Sequence, residues 1–286
     1  MSGRILVVGA TGKTGVELVK RLTAQRVRVR AATRNPAALT SKLGDTVDAA
    51  AFDIEEPATF APALDGVDRV FLMARPGDTR SHDFAAPFID AAKQRGVRLI
   101  VNLTAMGAEQ DASFGLRILE TYLEASGIAW AHLRPNYFMQ NFSSSSMLAD
   151  IRTSSALHLP AGDAKLSFID VRDIAAVAAV LLTAPQPVNR AYTLTGGAAL
   201  DHYEVTSLLS RVAGKTIGYV PLSEDDARSM LGNIGWPPEL VERQINFFRK
   251  VRDGFCAPVS PAVESVLGRA PTTFAQYASD YAASWK

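Results

Sequence analysis

A doubly wound α/β fold, a parallel sheet with helices on both faces, is what this sequence predicts, on three observations. Apolar strand-like runs alternate with helical periodicity through the first half of the 286 residues. The repeat length of these strand–helix units implies right-handed crossovers between parallel strands. The first run, "RILVV", passes into the glycine-rich stretch "VVGATGKTG", which opens a helix.

The elements follow in order. Residues 4–8 read as a buried strand and residues 14–25 as a helix. "VRVRAAT" (27–33) alternates as a strand, and a helix begins near Asn35-Pro36, where proline suits the first turn. Residues 47–52, 68–74, 97–104 and 128–134 continue the strands, with helical segments between them. One of these segments, "ASFGLRILETYLEASGIAW" (112–130), carries Phe114, Ile118, Leu119, Tyr122 and Leu123 at helical spacing. It is closed by Ser126-Gly127 and runs into a short strand. After "LRPNYF" the pattern changes: "NFSSSSMLAD" reads as a polar loop, and residues 168–184 as a strand end feeding an Ala-rich helix. "AYTLTGG" reads as a further strand, and from Leu200 onward the chain is mostly helical. "PPELVERQINFFRKVRDG" is the clearest case, with prolines at its start and Gly254 at its end. The expected division is a sheet domain over 1–155 and a smaller, mostly helical lobe over 156–286, partly interleaved with the sheet.

Composition excludes several classes. A net charge of +1 gives no reason to expect nucleic acid or an anionic membrane as the partner. No stretch approaches the roughly 18 apolar residues of a membrane span, and "ILVVGA" is too short for a signal peptide. Cys256 is the single cysteine, so no intrachain disulfide can form and a reducing cytoplasm is the expected setting. The four histidines show no metal-ligand spacing with acids or Cys256, and no metal is expected.

The glycine stretch carries the first chemistry. Gly9, Gly12 and Gly15 form GxxGxxG between a strand and a helix, which suits a tight turn, close backbone approach to a phosphate and close helix–strand packing. Thr11, Lys13 and Thr14 complete an anion-facing helix start, the Rossmann arrangement for a dinucleotide. Gly12-Lys13-Thr14 also copies the end of a triphosphate P-loop, but that motif needs a glycine at position 7, where Val7 stands. At the end of the second strand Arg34 occupies the place where an NAD-specific protein has an acid. A guanidinium there matches the 2′-phosphate of NADP, unless Arg34 is an ordinary surface residue. Asp53, after the third strand, reads either as an adenine contact or as a helix cap. The fourth and fifth strand ends, with Met73, Ala74, Arg75 and Thr104, should line the nicotinamide side.

With "VVGATGKTG", "TRNP", "FDIEEPATFAPALDGVDRVFLM", "LRPNYFMQNF", "FIDVRDIAAVA" and "VLGRAPTTFAQYASDYAASW" in this order, nearly the whole chain resembles the NmrA-like group of atypical short-chain dehydrogenases. The resemblance implies an NADPH-dependent reductase of quinones, cationic dyes or iminium compounds. It also admits an NADP-binding redox sensor without turnover. Typical short-chain dehydrogenases carry Tyr-x-x-x-Lys on the helix after the fifth strand. Aligning Glu120 with a glutamate that this group retains puts Leu116 at the lysine place and Ala112 at the tyrosine place.

A ketone needs an acid on receiving hydride, an effect worth about 10²–10⁴-fold, whereas an iminium, a cationic dye or a quinone needs far less. The expected partner is therefore a small, planar, apolar acceptor, and a homodimer is compatible with this reading. Tyr137 and Thr104 are the candidate catalytic hydroxyls, with Thr104 equally suited to a cofactor contact. Phe138, Phe142, Met147 and Trp236 are the candidate walls of a planar apolar pocket.

Overall fold

Seven parallel strands form one sheet in the computed structural model, which describes residues 3–44, 47–74 and 80–286. The chain runs β1 (Arg4–Val8), α1 (Lys13–Ala24), β2 (Val29–Thr33), α2 (Pro36–Leu43), β3 (Asp48–Ala51), α3 (Phe60–Ala63), β4 (Val67–Met73), α4 (Ser81–Gln94), β5 (Leu99–Leu103), α5 (Gly115–Ala125) and β6 (Ala129–Pro135). It continues through α6 (Ser146–Ser154), β7 (Ala156–Leu159), α7 (Val171–Thr183) and β8 (Arg190–Leu194). The last stretch holds α8 (His202–Ala213), β9 (Gly218–Pro221), α9 (Glu224–Asn233), α10 (Pro238–Arg252), α11 (Ala262–Leu267) and α12 (Phe274–Asp280).

Contacts divide the chain into two compact units. The first comprises residues 1–135, 171–194 and 265–268, the second residues 136–170, 195–264 and 269–286. In the first unit the strand order is β3-β2-β1-β4-β5-β6-β8. The order reverses between β1 and β4, and the connections leaving these two neighbours diverge, which opens a crevice at their carboxyl ends. Helices cover both faces, so strands such as β5 are buried throughout. On one face α1 packs against α7, whose Ala175, Ala176, Ala178 and Ala179 are buried and let the two backbones come close. On the other face Phe52, Phe60 and Phe88 meet with ring centroids 5.2–5.8 Å apart, beside Leu119 and Leu123 of α5.

The second unit has its own apolar centre, built from Phe142, Phe168, Phe274, Tyr277 and Trp285. Trp285 Nε1 donates to the Phe142 carbonyl at 2.8 Å, so the chain end is tied into this core. Strands β7 and β9 form a separate parallel pair, Ala156 opposite Gly218 through Leu159 opposite Pro221.

The expected strands through residue 134 form, shifted by one or two residues at their ends, and "AYTLTGG" supplies β8 at the sheet edge, whereas the strand end expected before the Ala-rich helix is only an isolated bridge, Ile169 with Phe138. Three further expectations change. The helix expected from residue 112 begins at Gly115, because Asp111 Oδ1 accepts both the N–H (2.9 Å) and the hydroxyl (2.6 Å) of Ser113 and closes a turn there. Ala112 is thus an exposed turn residue, and Leu116 alone of the two places lies on α5. The serine run is not simply a loop: Ser145 caps α6 by accepting the Met147 N–H at 3.2 Å. The β7–β9 pair was not foreseen.

Replacing Phe88 with Ala removes the ring shared by Phe52 and Phe60. It is expected to lower unfolding free energy by about 3–5 kcal/mol in urea titration. A loss below about 1 kcal/mol would mean that this cluster does not carry the first unit's core.

Candidate functional site

The turn from β1 into α1 is built on close backbone approach. Gly9 has φ +72°, a left-handed value that glycine adopts freely, and its carbonyl accepts the Gly12 N–H at 2.9 Å. A Cβ on Gly15 would stand 2.2 Å from the Gly9 oxygen, so only glycine allows helix and strand to meet here. Gly12 is the extended N-cap of α1 and offers no side-chain cap, an arrangement that suits an anion at the helix start.

Beside this turn lies a crevice of about 220 Å³. It brings together seven of the residues singled out in the sequence, Gly9, Thr11, Gly12, Arg34, Asp53, Met73 and Ala74. Arg34 is exposed at the end of β2 and has no hydrogen-bond or ion-pair partner among the described residues. Asp53 does not cap a helix: its Oδ1 accepts the Glu55 N–H at 3.1 Å, and its own N–H is held by Thr59 Oγ1 at 3.2 Å. Met73 lies over the turn, its Cε 2.4 Å from where a Gly9 Cβ would sit. Lys13, Thr14 and Gly15 stand in the first turn of α1 and do not line the crevice. Arg75 lies outside the described residues. Thr33, Phe52 and Ile54 are lining residues that the sequence did not mark. Apolar residues at strand ends read as core, and flanking Asp53 was the one available signal.

At the carboxyl ends of β5 and β6 a buried ionic network replaces ordinary core. Glu120 of α5 is completely buried. It accepts from Thr104 Oγ1 at 2.7 Å, from Arg134 Nε and Nη2 at 2.9 and 2.7 Å, and from Arg117 Nη1 at 3.0 Å. Burial pushes the Glu120 carboxyl up, but hydrogen bonds from Arg134 and Thr104 outweigh it and hold the group below the usual carboxylate value. Glu124 and His132 complete a triad with Glu120 whose ligand-type atoms lie within 4.8 Å of one another. Arg117 Nη1 bonds both carboxylates, Glu124 at 2.7 Å, so a guanidinium already supplies the positive charge at this spot. His132 is buried and stacked on Trp130, with centroids 4.4 Å apart, and burial brings its pKa down to about 4. Among the described residues, neither its ring nitrogens nor the side chain of Asn102, its register partner on β5, has a hydrogen bond of good geometry, although His132 Nε2 lies 3.3 Å from Glu124 Oε1. On α5 itself the one tyrosine, Tyr122, donates to Asp90 of α4 at 2.8 Å, and the helix holds no lysine.

In the second unit, Tyr137 is stacked on Phe247 (5.6 Å) with its hydroxyl 3.9 Å from Met147 Sδ, and burial raises that hydroxyl well above its ordinary value. Phe142 and Met147 belong to the same apolar core, while Phe138 is half-buried and bridges Ile169 through its backbone. Trp236 packs elsewhere, against the cluster of Ala227, Leu231, Val241 and Ile245. The four apolar candidates are therefore not brought together. A separate apolar cavity of about 410 Å³ is lined by Phe168, Gly196, Leu200, Leu208, Pro271 and Phe274 among others.

His132 and His202 both have pKa values near 4 in the fold against 6.5 ordinarily, in each case chiefly through burial. Below pH 6.5 the unfolded chain therefore binds more protons than the folded one, and stability falls as pH drops toward 4. Glu120 adds a further loss as pH falls below its ordinary 4.5. Urea midpoints measured from pH 7 to 4.5 are expected to fall steadily, and His132→Gln to flatten part of the decline. An unchanged slope in that variant would show that His132 does not stay neutral.

The model of the NmrA-like family matches residues 1–278. The NAD(P)H azoreductase of Xenophilus azovorans is 35% identical over 285 residues, covering 98% of this chain and 99% of that one. A (4-alkanoyl-5-oxo-2,5-dihydrofuran-3-yl)methyl phosphate reductase of Streptomyces griseus is 34% identical over 284 residues, covering 97% and 98%. Among solved structures, the NADPH-dependent quinone oxidoreductase of Escherichia coli complexed with NADPH superposes with a TM-score of 0.84. It shares 24% identity, and the match covers 97% of this chain and 99% of that one. This chain belongs to the NmrA-like family, among the NAD(P)H-dependent reductases of the atypical short-chain dehydrogenase type.

Proposed function

We propose that this protein is an NADPH-dependent reductase that delivers hydride to a small, planar, conjugated electrophile such as a quinone, a cationic dye or a cyclic imine in its protonated, iminium form. The observation that carries the cofactor choice is the guanidinium of Arg34, without a partner among the described residues, at the rim of the glycine-turn crevice. A guanidinium binds a 2′-phosphate by charge-assisted, bidentate hydrogen bonds, and among the described residues no acid is paired with Arg34. The bare backbone at Gly9 and Gly12, which line the crevice, fits a pyrophosphate, and Gly15 lets α1 start close enough to β1 to face it. Thr11, Lys13 and Thr14 sit at the same helix start, Asp53 marks the adenine end, and Met73 and Ala74 lead toward the nicotinamide end.

The bound dinucleotide would supply the hydride; the chain supplies proximity and orientation. Nothing on α5 offers the tyrosine–lysine acid pair, since Tyr122 is committed to Asp90 and Leu116 stands at the lysine place. Tyr137 keeps its proton tightly, because ionising a buried phenol is costly, and so serves as a wall rather than an acid. These features favour acceptors that become neutral or delocalised on reduction and draw any proton from water. The two relatives described above are named as an azoreductase and as a reductase of a (4-alkanoyl-5-oxo-2,5-dihydrofuran-3-yl)methyl phosphate, both small-molecule reductases. Phe138, Phe142, Met147 and Trp236 remain the candidate apolar contacts for such a ring, with Phe138 half-buried and Phe142 and Met147 in the second unit's core. A buried thiol at Cys256, pushed up to about 11 by burial, suits a protein of the reducing cytoplasm.

Stopped-flow loss of NADPH absorbance with a quinone, a triarylmethane dye and a cyclic imine tests the reaction, and turnover of at least one is expected. No turnover across all three would overturn the enzymatic reading. Arg34→Asp is expected to weaken NADPH binding about a hundredfold and leave NADH binding intact or improved. An unchanged NADPH to NADH ratio would remove Arg34 from the cofactor site.

A further inference from the structure

The Thr104 hydroxyl proton is committed. It is donated to Glu120 Oε1 at 2.7 Å, whereas the alternative acceptor, the Leu133 carbonyl, is 3.4 Å away. Glu120 is completely buried and gripped by Arg134 and Arg117, so it stays ionised, and an ionised carboxylate only accepts. The Thr104 N–H is also spent, on the Leu133 carbonyl at 2.8 Å. What remains at Thr104 is the lone-pair side of its Oγ1. Thr104 follows Leu103, whose register partner on β4 is Met73, a wall of the crevice. It therefore stands one strand along the same carboxyl edge at which ligands of this fold lie, and 8% of its surface stays exposed.

We propose that Glu120 is a positioning residue that makes Thr104 an acceptor-only reader of a ligand N–H donor, the carboxamide amide of the bound nicotinamide. This inference rests on the NADP reading above and deepens it. The network fixes which way the hydroxyl points, so a carboxamide N–H is welcomed and a bare carbonyl is not. The same arrangement bars Thr104 from protonating a reduced product. Giving up the proton would leave an alkoxide 2.7 Å from a buried carboxylate, two like charges in a dry site.

The probe is the 3-acetylpyridine analogue of NADP, in which a methyl group replaces the carboxamide amine. Calorimetric titration should show the wild-type protein binding NADP about tenfold more tightly than the analogue, the worth of one hydrogen bond. Thr104→Val should bring that ratio near one, and Thr104→Ser should keep it. Glu120→Gln, where it folds by circular dichroism, should narrow the ratio, because a neutral amide holds the Thr104 proton less firmly. The two Thr104 variants decide the matter even if the Glu120 variant does not fold. A ratio that stays tenfold in Thr104→Val, or that is already near one in the wild type, overturns the inference while leaving NADP binding in place. If the wild type binds neither nucleotide, the cofactor reading fails and this inference with it.

Discussion

The Gly9 carbonyl oxygen stands 2.2 Å from where a side chain on Gly15 would begin, and the first unit is arranged around that contact. It lets α1 leave β1 in one tight turn, with its first amides at the end of the strand instead of a loop away. Because β1 and β4 are neighbours in the sheet while their following segments turn to different places, the turn opens onto a crevice. Every lining residue outside the turn lies at a strand's end or within three residues after it: Ala32 to Arg34, Phe52 to Ile54, Met73 and Ala74. The site is thus a property of sheet order, and the glycines are what allow an anion to use it.

A second constraint lies further along the same edge. Burying Glu120 without exposure costs several kcal/mol, and two arginines with one threonine return it only as a complete set. Replacing such a network by apolar residues would be neutral or stabilising in many proteins, so stability alone is a weak reason for it. Its distinctive effect is directional. It sets which atoms at the end of β5 donate and which accept, and it ties α5 to the carboxyl ends of β5 and β6 through side chains.

Much of this was legible from residue order. The alternation of strand and helix, the glycine turn, Arg34 at the end of β2 and Asp53 after β3 all sit where the pattern put them, because each depends on local backbone geometry or on a strand's end. The start of α5 was not legible, since Asp111 ends the turn by a side-chain bond that competes with helix formation at Ala112 and Ser113. Ser145 hid its capping role inside a serine run that looks uniformly polar. Strands β7 and β9 escaped because four residues each, paired across some sixty positions of chain, leave no period to read. The aromatic candidates failed to gather for the same reason: Phe142 and Trp236 are apolar in either a pocket or a core, and packing partners decide which.

The sequence by itself determined the doubly wound sheet, the glycine turn and the charge at its rim, because these follow from periodicity, from positive φ and from the sign of one side chain. Only the tertiary structure decided which titratable groups meet. Glu120, Arg117, Thr104, His132 and Arg134 come from three elements, and their protonation and hydrogen-bond polarity are set by burial and by neighbours that no spacing along the chain announces.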